Sequence, residues 1–599
     1  MSLIQRKSRP RGSSSLHTFS APPRRSRQPK PPSVMGAPQS PVPAAPGGQQ
    51  PLVPPPWEGT GLKGKLEYYV SKMDGATRPY AVCATSDSPE PKPLVIVVSP
   101  GAPTDAGPNE IRKAEDYAWY AKKNNKECIV LRATGRGPGS VYQNYGEVDV
   151  LEAIDDIVTK YPIDRDRISV IGFSMGGAAT WYLISHYPDL FSAGAPGAGY
   201  CDYRLWEKPG GFTFPMQPWE EPSWQARSGA FLIGNFEHTP MWIFHGAWDR
   251  SSGAGVAVAQ SQNMFVALTK MGFNVHYTEV PKTGHFGPPE VQEQAILWLI
   301  QQKKERHPKH VSLTTYELRH NKSYWVSIDQ IERCGLRASL DATQTATGLV
   351  VETDNLRGFT LGPIPGTKAQ SVRVDGKVFS NLDLSTSCAF YRTAKGGWKS
   401  GAADLSGQKH HGCSGPITDI FFDNLILVPG TTGTEEETHF NTSMASNTAT
   451  LFTSENGGLH RGGIRGANTI TLTSIKDLDL KEGQIRDNNL LLVGTDKTNA
   501  VLRKYRDRLP ITFKAGTIRL GRRTYQCERV AVLAVFPHPD NPQRYFAVFG
   551  GVTPDAITWG SHLNLQLLPD YVVFDRGKML EWGFWDNAWK HPVGWPVRR

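Results

Sequence analysis

Residues 168–177 read ISVIGFSMGG, and the fold of the surrounding segment can be inferred from this stretch. An apolar run typical of a buried strand ends in GFSMG (172–176), a G-x-S-x-G pattern, and a helical pattern follows it directly. A turn this tight leaves no room for side chains two positions before and after the serine, which explains the glycines. The stretch therefore predicts a nucleophile elbow that presents the hydroxyl of Ser174, with a purely structural turn as the alternative.

Strands and helices alternate on both sides of this turn. Upstream, KLEYYVSKMDGATRPYAVCAT predicts a hairpin across Asp74-Gly75, PLVIVVSPGA a buried strand and IRKAEDYAWYAKKNN a helix. Downstream, MWIFHGA and NVHYTEV predict strands, whereas VAVAQSQNMFVALTKMG and EVQEQAILWLIQQKK predict helices. Continuous apolar strands joined by helices are typical of a parallel sheet covered on both faces. We therefore predict a doubly wound, mostly parallel α/β sheet for a catalytic domain at residues 59–308.

Three further segments flank this domain. Residues 1–58 are rich in Pro, Arg and Ser and predict a disordered tail, which at most docks weakly on a partner through PLVPPPW. Residues 309–400 alternate with a period of two and predict an antiparallel β domain. Residues 401–599 combine strands such as NNLLLVG and VAVLAVF with a helix, TNAVLRKYRDRL, and predict a C-terminal α/β domain. That domain includes a polar stretch from Thr431 to about Asn468.

The basic character of the chain comes from its first residues. Lys plus Arg number 66 and Asp plus Glu 56 among 599 residues, which gives 66 − 56 = +10. Residues 1–60 contain eight Lys or Arg and one acid, so they contribute +7 and the remainder only +3. A basic tail does not indicate a nucleic-acid-binding body, and we expect no nucleic-acid partner. No apolar run reaches the length of a transmembrane helix, so no membrane span is expected.

The cysteines and the first residues bear on the compartment. Seven cysteines without a CxxC spacing predict neither a disulfide framework nor a zinc site, and we expect no metal. No apolar segment follows the first basic residues, so a signal peptide is not predicted. This favours the cytoplasm, although the glycosylation sequons at Asn321 and Asn441 would suit a secreted protein with a different start. The localisation therefore stays open.

A serine nucleophile needs a base, and the base needs an acid that orients it. In this fold the expected chain order is serine, acid, histidine. Asp249 follows the strand MWIFHGA, at the sheet edge where catalytic groups collect, and His285 follows the next strand, NVHYTEV. We predict Asp249 as the acid and His285 as the base, with Asp202 as the alternative acid. Three other histidines are assigned structural or local hydrogen-bonding roles: His186, His245 and His276.

The oxyanion hole of such a site combines two backbone N–H groups. One is that of Met175, directly after the nucleophile. The other should come from the loop SPGA (99–102), in which Pro100 has no N–H to donate. Gly101 or Ala102 is therefore the second donor, and Ala102 is favoured.

Two features predict the substrate pocket. The segment between the elbow helix and Asp249 is rich in aromatic and proline residues and should hang over the carboxyl edge of the sheet. Its tryptophans Trp206, Trp219 and Trp224 either wall the pocket or pack the segment down. Arg136 lies at the end of another strand and either binds a substrate carbonyl or carboxylate or forms a structural salt bridge to Glu147 or Asp149.

These stretches together resemble the α/β-hydrolase superfamily, and more narrowly its prolyl-oligopeptidase-like and dienelactone-hydrolase-like members. The resemblance covers residues 60–305 and rests on YPIDRDRISVIGFSMGGAATWYLISHYPDLFSAG, WIFHGAWDRSSG and VPKTGH. It implies Ser174 as nucleophile, Asp249 as acid and His285 as base. One departure is that Pro100-Gly101 replaces the usual His-Gly before the oxyanion loop. The later segments are similar to extensions behind this domain in large bacterial hydrolases.

The expected function is that of a serine hydrolase without a cofactor, acting on a small ester through an acyl-enzyme. A peptidase that uses the same three residues on a small peptide is the first alternative. The second alternative is a scaffold or binding protein that retains a vestigial hydrolase domain.

Overall fold

The structure is a computed structural model, and it describes residues 61–98, 105–137, 140–203, 217–250, 255–364, 370–453, 470–563, 565 and 567–594. The described residues lie within one compact unit, Pro56–Arg599. They form two eight-stranded sheets, two five-stranded sheets and one three-stranded sheet. The predicted tail at 1–58 lies outside the described residues.

The first eight-stranded sheet holds the segment around the predicted elbow. Its strands are β1 (Lys65–Val70), β2 (Thr77–Ala84), β3 (Lys92–Val98), β4 (Ile129–Arg132), β5 (Ile163–Phe173), β6 (Ala193–Gly197), β7 (Met241–Gly246) and β8 (Val275–Val280). They lie in the order β1-β2-β4-β3-β5-β6-β7-β8. Strands β3 to β8 pair in parallel, whereas β1 and β2 form the predicted antiparallel hairpin. The predicted α/β-hydrolase fold is confirmed.

Helices cover both faces of this sheet. They are α1 (Pro108–Lys122), α2 (Tyr145–Lys160), α3 (Met175–His186), α4 (Glu221–Arg227), α5 (Ala259–Lys270) and α6 (Pro289–Leu299). Successive side chains of a strand point to opposite faces, so a strand covered on both sides must be apolar throughout. In β3, Leu94 and Ile96 lie in one buried cluster and Val95 and Val97 in the other. This double burial explains the continuous apolar runs of the sequence.

The middle of the chain forms a two-sheet β sandwich. Its strands are β9 (His310–Thr315), β10 (Lys322–Ser323), β11 (Val326–Ile331), β12 (Ala338–Thr345), β13 (Gly348–Asp354), β14 (Leu356–Leu361), β15 (Gln370–Val374), β16 (Lys377–Leu382), β17 (Cys388–Arg392) and β18 (Trp398–Ser400). One five-stranded sheet has the order β10-β11-β14-β17-β18 and the other β16-β15-β13-β12-β9. Pairing is antiparallel as expected, except that β13 and β15 run in parallel. The inward side chains of both sheets form one buried cluster.

The C-terminal part is built on the second eight-stranded sheet. The strands are β19 (Leu425–Pro429), β20 (Thr473–Ser474), β21 (Asn489–Val493), β22 (Ile511–Lys514), β23 (Thr517–Leu520), β24 (Arg523–Gln526), β25 (Val530–His538), β26 (Asn541–Gly551), β27 (Tyr571–Asp575), β28 (Lys578–Trp585) and β29 (Pro592–Gly594), and the helices are α7 (Glu435–Thr453), α8 (Glu482–Asp487) and α9 (Ala500–Tyr505). The large sheet has the order β20-β19-β21-β26-β25-β27-β28-β29, and β22 to β24 form the three-stranded sheet. Helix α7 lies in the stretch that the sequence marked only as polar, because its apolar residues are few.

The catalytic and C-terminal parts share one hydrophobic core. Met73 and Tyr145 of the first part are buried in the same cluster as the strands of the second eight-stranded sheet, and Trp219 packs against it. The β sandwich meets the first part through Asn235, whose amide donates to Thr314 O at 2.9 Å and to Ser185 O at 2.6 Å. No helix among the described residues is long and apolar enough to cross a membrane.

Candidate active site

The turn between β5 and α3 consists of Ser174 alone, because β5 ends at Phe173 and α3 begins at Met175. Ser174 has φ 58° and ψ −117°, a strained region for a residue with a side chain. A Cβ on Gly172 would lie 2.3 Å from the carbonyl oxygen of Gly176. Only glycine therefore fits at that position, as the motif predicted, and the turn lifts the serine hydroxyl away from the sheet.

Three side chains from distant parts of the chain meet at this turn. Ser174 Oγ lies 2.7 Å from Nε2 of His285, and Nδ1 of His285 lies 2.7 Å from Oδ2 of Asp249. The side chain of His285 is 18% exposed, whereas that of Asp249 is only 1% exposed. The structure thus brings the predicted nucleophile, base and acid into one hydrogen-bonded chain. His285 in this chain is partly open to solvent, whereas Asp249 is buried.

The loops that carry the acid and the base are fastened to each other. The N–H of Trp248 donates to Thr283 O at 2.8 Å, which joins the loop after β7 to the loop after β8. A Cβ on Gly246 would lie 2.2 Å from the carbonyl oxygen of Gly284, so the two backbones touch here. This contact fixes the distance between Asp249 and His285.

The carboxylate of Asp249 is held in its charged form. Burial raises its pKa, but hydrogen bonds from His245 and His285 outweigh the burial and lower the pKa to about 2. The backbone N–H of Val256 adds a third hydrogen bond, to Oδ1 at 3.1 Å. A permanently ionised carboxylate is what a histidine base needs beside it, since it stabilises the imidazolium that forms during the reaction.

The predicted oxyanion hole is described only in part. Met175 is the first residue of α3, so its N–H has no acceptor within the helix and lies at the positive end of the helix dipole. Gly101 and Ala102 lie outside the described residues. In the part of the chain that the structure describes, no group of three or more His, Cys, Asp or Glu side chains is placed to hold a metal ion.

The rival residues have other surroundings. The backbone N–H of Asp202 donates to Oε1 of Gln260 at 3.1 Å. It is Asp249 that lies against Nδ1 of His285. His186 Nε2 lies 2.8 Å from the carbonyl oxygen of Ala226. His276 packs beside the indole rings of Trp242 in β7 and Trp298 in α6. His245 differs, because it contacts Asp249 directly. The position of His245, four residues before Asp249, was the signal in the sequence that could have indicated this contact.

The predicted pocket residues are placed differently from one another. Arg136 has no exposed surface and donates to Asp74 at 2.7 Å and 3.1 Å. It is thus committed to a structural ion pair and not presented to a substrate. Trp219 packs against the C-terminal core, and Trp206 lies outside the described residues. Trp224 stacks on Tyr203 at 5.4 Å.

Trp224 packs beside residues that border the candidate site. It packs against a buried cluster that contains Ala178 of α3 and Val256, whose N–H binds Asp249. Its indole Nε1 is buried and has no hydrogen-bond partner among the described residues. The cluster therefore joins the nucleophile helix to the acid loop.

A positive-φ serine between a parallel strand and a helix is the arrangement found in serine hydrolases with the α/β-hydrolase fold, and the fold assigns this part of the chain to that class. Residues 140–301 match the model of the prolyl oligopeptidase family, and this segment contains Ser174, Asp249 and His285. The predicted resemblance is thereby confirmed for the catalytic part of the chain.

Individual relatives match over limited lengths. The chain is 35% identical over 133 residues to an uncharacterized secreted protein of Arthroderma benhamiae, which is 21% of this chain and 13% of that protein. It is 27% identical over 147 residues to a probable chloroplastic glutamyl endopeptidase of Arabidopsis thaliana, 24% of this chain and 15% of the relative. The matches thus span less than one sixth of the length of either relative. The solved acylaminoacyl peptidase of Pyrococcus horikoshii is 16% identical with a TM-score of 0.33, covering 41% of this chain and 43% of that one.

Proposed function

We propose that this protein is a serine hydrolase that cleaves a carboxylic ester through an acyl-enzyme on Ser174. The observation that supports it most is the continuous hydrogen-bonded chain from Ser174 Oγ through His285 to Asp249, with 2.7 Å at both links. The strained turn adds to it, because strain of this kind persists where it serves a reactive group.

The proposed reaction follows from the hydrogen-bond directions. Nδ1 of His285 faces the carboxylate of Asp249 and therefore carries the proton, so Nε2 is free to accept the proton of Ser174. The serine oxygen attacks the carbonyl carbon, and the N–H of Met175, with that of Ala102 as the proposed second donor, stabilises the oxyanion. His285 then protonates the leaving alcohol, and the same residue activates the water that releases the acid.

The substrate class has a second candidate, a small peptide. The match to the prolyl oligopeptidase family favours it. An amine leaves only after it is protonated, so amide cleavage demands more of His285 than ester cleavage does. We propose the ester first because an alcohol leaves more readily, and we propose that Trp224 lines the acyl pocket, since its cluster touches both the nucleophile helix and the acid loop.

The test is hydrolysis of a p-nitrophenyl acyl series, from acetate to octanoate, by the full-length chain and by its Ser174→Ala variant. Ser192→Ala is the matched control, because this buried hydroxyl donates to Ile168 O and lies away from the site. We expect kcat/KM to fall at least about 10³-fold in Ser174→Ala and by less than about threefold in the control.

Peptide p-nitroanilides and a fluorophosphonate complete the experiment. Ester turnover that depends on Ser174 supports the proposal, and anilide turnover without ester turnover would replace it with the peptidase. Absence of hydrolysis and of fluorophosphonate labelling in the wild type would overturn both the esterase and the peptidase proposals. The scaffold protein with a vestigial hydrolase domain would then remain.

A further inference from the structure

A second histidine touches the acid of the site. His245 is the penultimate residue of β7 and is buried, and its Nε2 lies 3.0 Å from Oδ2 of Asp249, the same oxygen that meets His285. Two imidazoles thus converge on one carboxylate oxygen. The reaction proposed above assigns a role only to His285.

The surroundings of His245 define where its protons lie. Nε2 is 3.0 Å from Asp249 Oδ2 and also 3.0 Å from Val256 O. Both atoms can only accept, so Nε2 carries a hydrogen and donates. On the other side of the ring, Nδ1 lies 2.8 Å from the hydroxyl of Ser261.

The neutral ring satisfies this environment better than the charged one. Ser261 is fully buried. Among the described residues, the hydroxyl of Ser261 has Nδ1 of His245 as its hydrogen-bond partner. If Nδ1 is unprotonated, the hydroxyl donates to it and every hydrogen has an acceptor. If Nδ1 carries a proton, the serine hydrogen is left buried without an acceptor, which is costly.

We propose that His245 is a positioning residue: a neutral donor that anchors the carboxylate of Asp249 in the orientation His285 requires. A neutral donor is suited to this task because it fixes the oxygen without cancelling its negative charge. The full charge then remains available for the imidazolium of His285. The inference rests on the proposed function, since it assigns a role within the same three-residue chain.

Two substitutions separate positioning from simple packing. In His245→Gln, the amide nitrogen can occupy the place of Nε2 and keep the donor to Asp249. In His245→Asn, the shorter side chain places its amide near Nδ1, beside Ser261, and the donor to Asp249 is lost. Both variants remove the ring, so a packing role would lower the thermal stability of both.

The experiment measures kcat and KM on the best p-nitrophenyl ester, together with thermal stability, for the wild type and both variants. We expect kcat of His245→Asn to fall about 10- to 100-fold at an unchanged KM, as for a lost hydrogen bond to a charged group. We expect His245→Gln to stay within about threefold of the wild type. Equal loss in both variants, or no loss in either, would overturn the inference.

The proposed function fails in a different way, namely if wild type and Ser174→Ala behave alike. If His245→Asn does not fold, His245→Gln decides alone. Activity within about threefold of the wild type supports the positioning role, and a loss above about tenfold contradicts it.

Discussion

Two clusters in the described part of the chain each bring a histidine against a buried carboxylate, and they differ in what surrounds them. In the candidate site, His285 is partly exposed and reaches both Asp249 and the strained Ser174. In the second cluster, His320 of the β sandwich lies 3.1 Å from Glu147 of α2, and both side chains are almost completely buried. We call this second group the junction cluster.

The difference shows what converts a histidine and a carboxylate into a candidate catalyst. Besides meeting His320, the two oxygens of Glu147 accept hydrogen bonds from the hydroxyls of Tyr182 and Tyr187. None of the described contacts of His320 is with a strained nucleophile. The junction cluster therefore binds two parts of the chain together. Access from solvent and a serine held at positive φ are the features that only the candidate site adds.

The largest expected effect comes from breaking the charged end of the candidate site. Asp249→Asn replaces the carboxylate with an amide, which cannot hold His285 in the productive tautomer or stabilise its charged form. We expect kcat to fall about 10³- to 10⁴-fold with little change in KM. Steady-state kinetics on the best ester measures it.

Asp202→Asn is the matched variant, because Asp202 was the alternative acid. We expect it to keep activity within a few-fold of the wild type. The opposite pattern, with Asp202→Asn inactive and Asp249→Asn active, would show that Asp202 is the acid.

An intermediate effect is expected from the junction cluster, on stability and not on catalysis. Burial raises the pKa of Glu147, but the charge and hydrogen bond of His320 lower it from 4.5 to about 2. A carboxylate whose pKa is lower in the folded than in the unfolded protein stabilises the fold at pH values above its unfolded pKa. This contribution is lost as the pH falls from about 4.5 toward 2. At pH 7, Glu147→Gln should therefore lower the free energy of unfolding by about 3 kcal/mol.

Urea unfolding between pH 2 and pH 7 measures this contribution. We expect the gap between wild type and Glu147→Gln to close as the pH falls toward 2, with kcat at pH 7 changed less than about threefold. Glu436→Gln, at an exposed position of α7, is the control and should leave the curve unchanged. A gap that is constant with pH would contradict the assignment of charge to Glu147.

The smallest effect is expected from Trp224→Phe. The indole Nε1 is buried without a partner in the described part of the chain, so its removal costs little, and the phenyl ring keeps the stacking on Tyr203. We expect a stability change below about 1 kcal/mol. If Trp224 lines the acyl pocket, the optimum of the acyl series should move toward longer chains, and an unchanged optimum would remove it from the pocket.

The sequence predicted best what depends on neighbouring residues. The elbow is local, since strand, glycine, serine and helix follow one another, and both of its key glycines are visible in the motif. Asp249 and His285 could be assigned because each directly follows a strand of the same parallel sheet. Helix α7 was missed because helices that pack with few apolar residues leave a weak periodic signal.

Contacts between distant segments were not predictable. Arg136 pairs with the predicted Asp149 at 3.5 Å, but its second ion pair, with Asp74, joins residues 62 positions apart and was not predicted. Trp219 was expected to wall the pocket or to pack its own segment down, and it packs against a core formed mostly by residues from 413 onward. For His245 the sequence predicted a structural or local hydrogen-bonding role, but it did not identify Asp249 as the partner.

The core shared by the catalytic and C-terminal parts has a consequence for the use of this protein. Met73 and Tyr145 are buried by strands that come from the far end of the chain. A fragment cut after residue 308 would leave these side chains in water and lose the partners that keep the adjoining loops in place. The catalytic part is therefore not a transferable module. The catalytic and C-terminal parts should unfold on heating in one cooperative step.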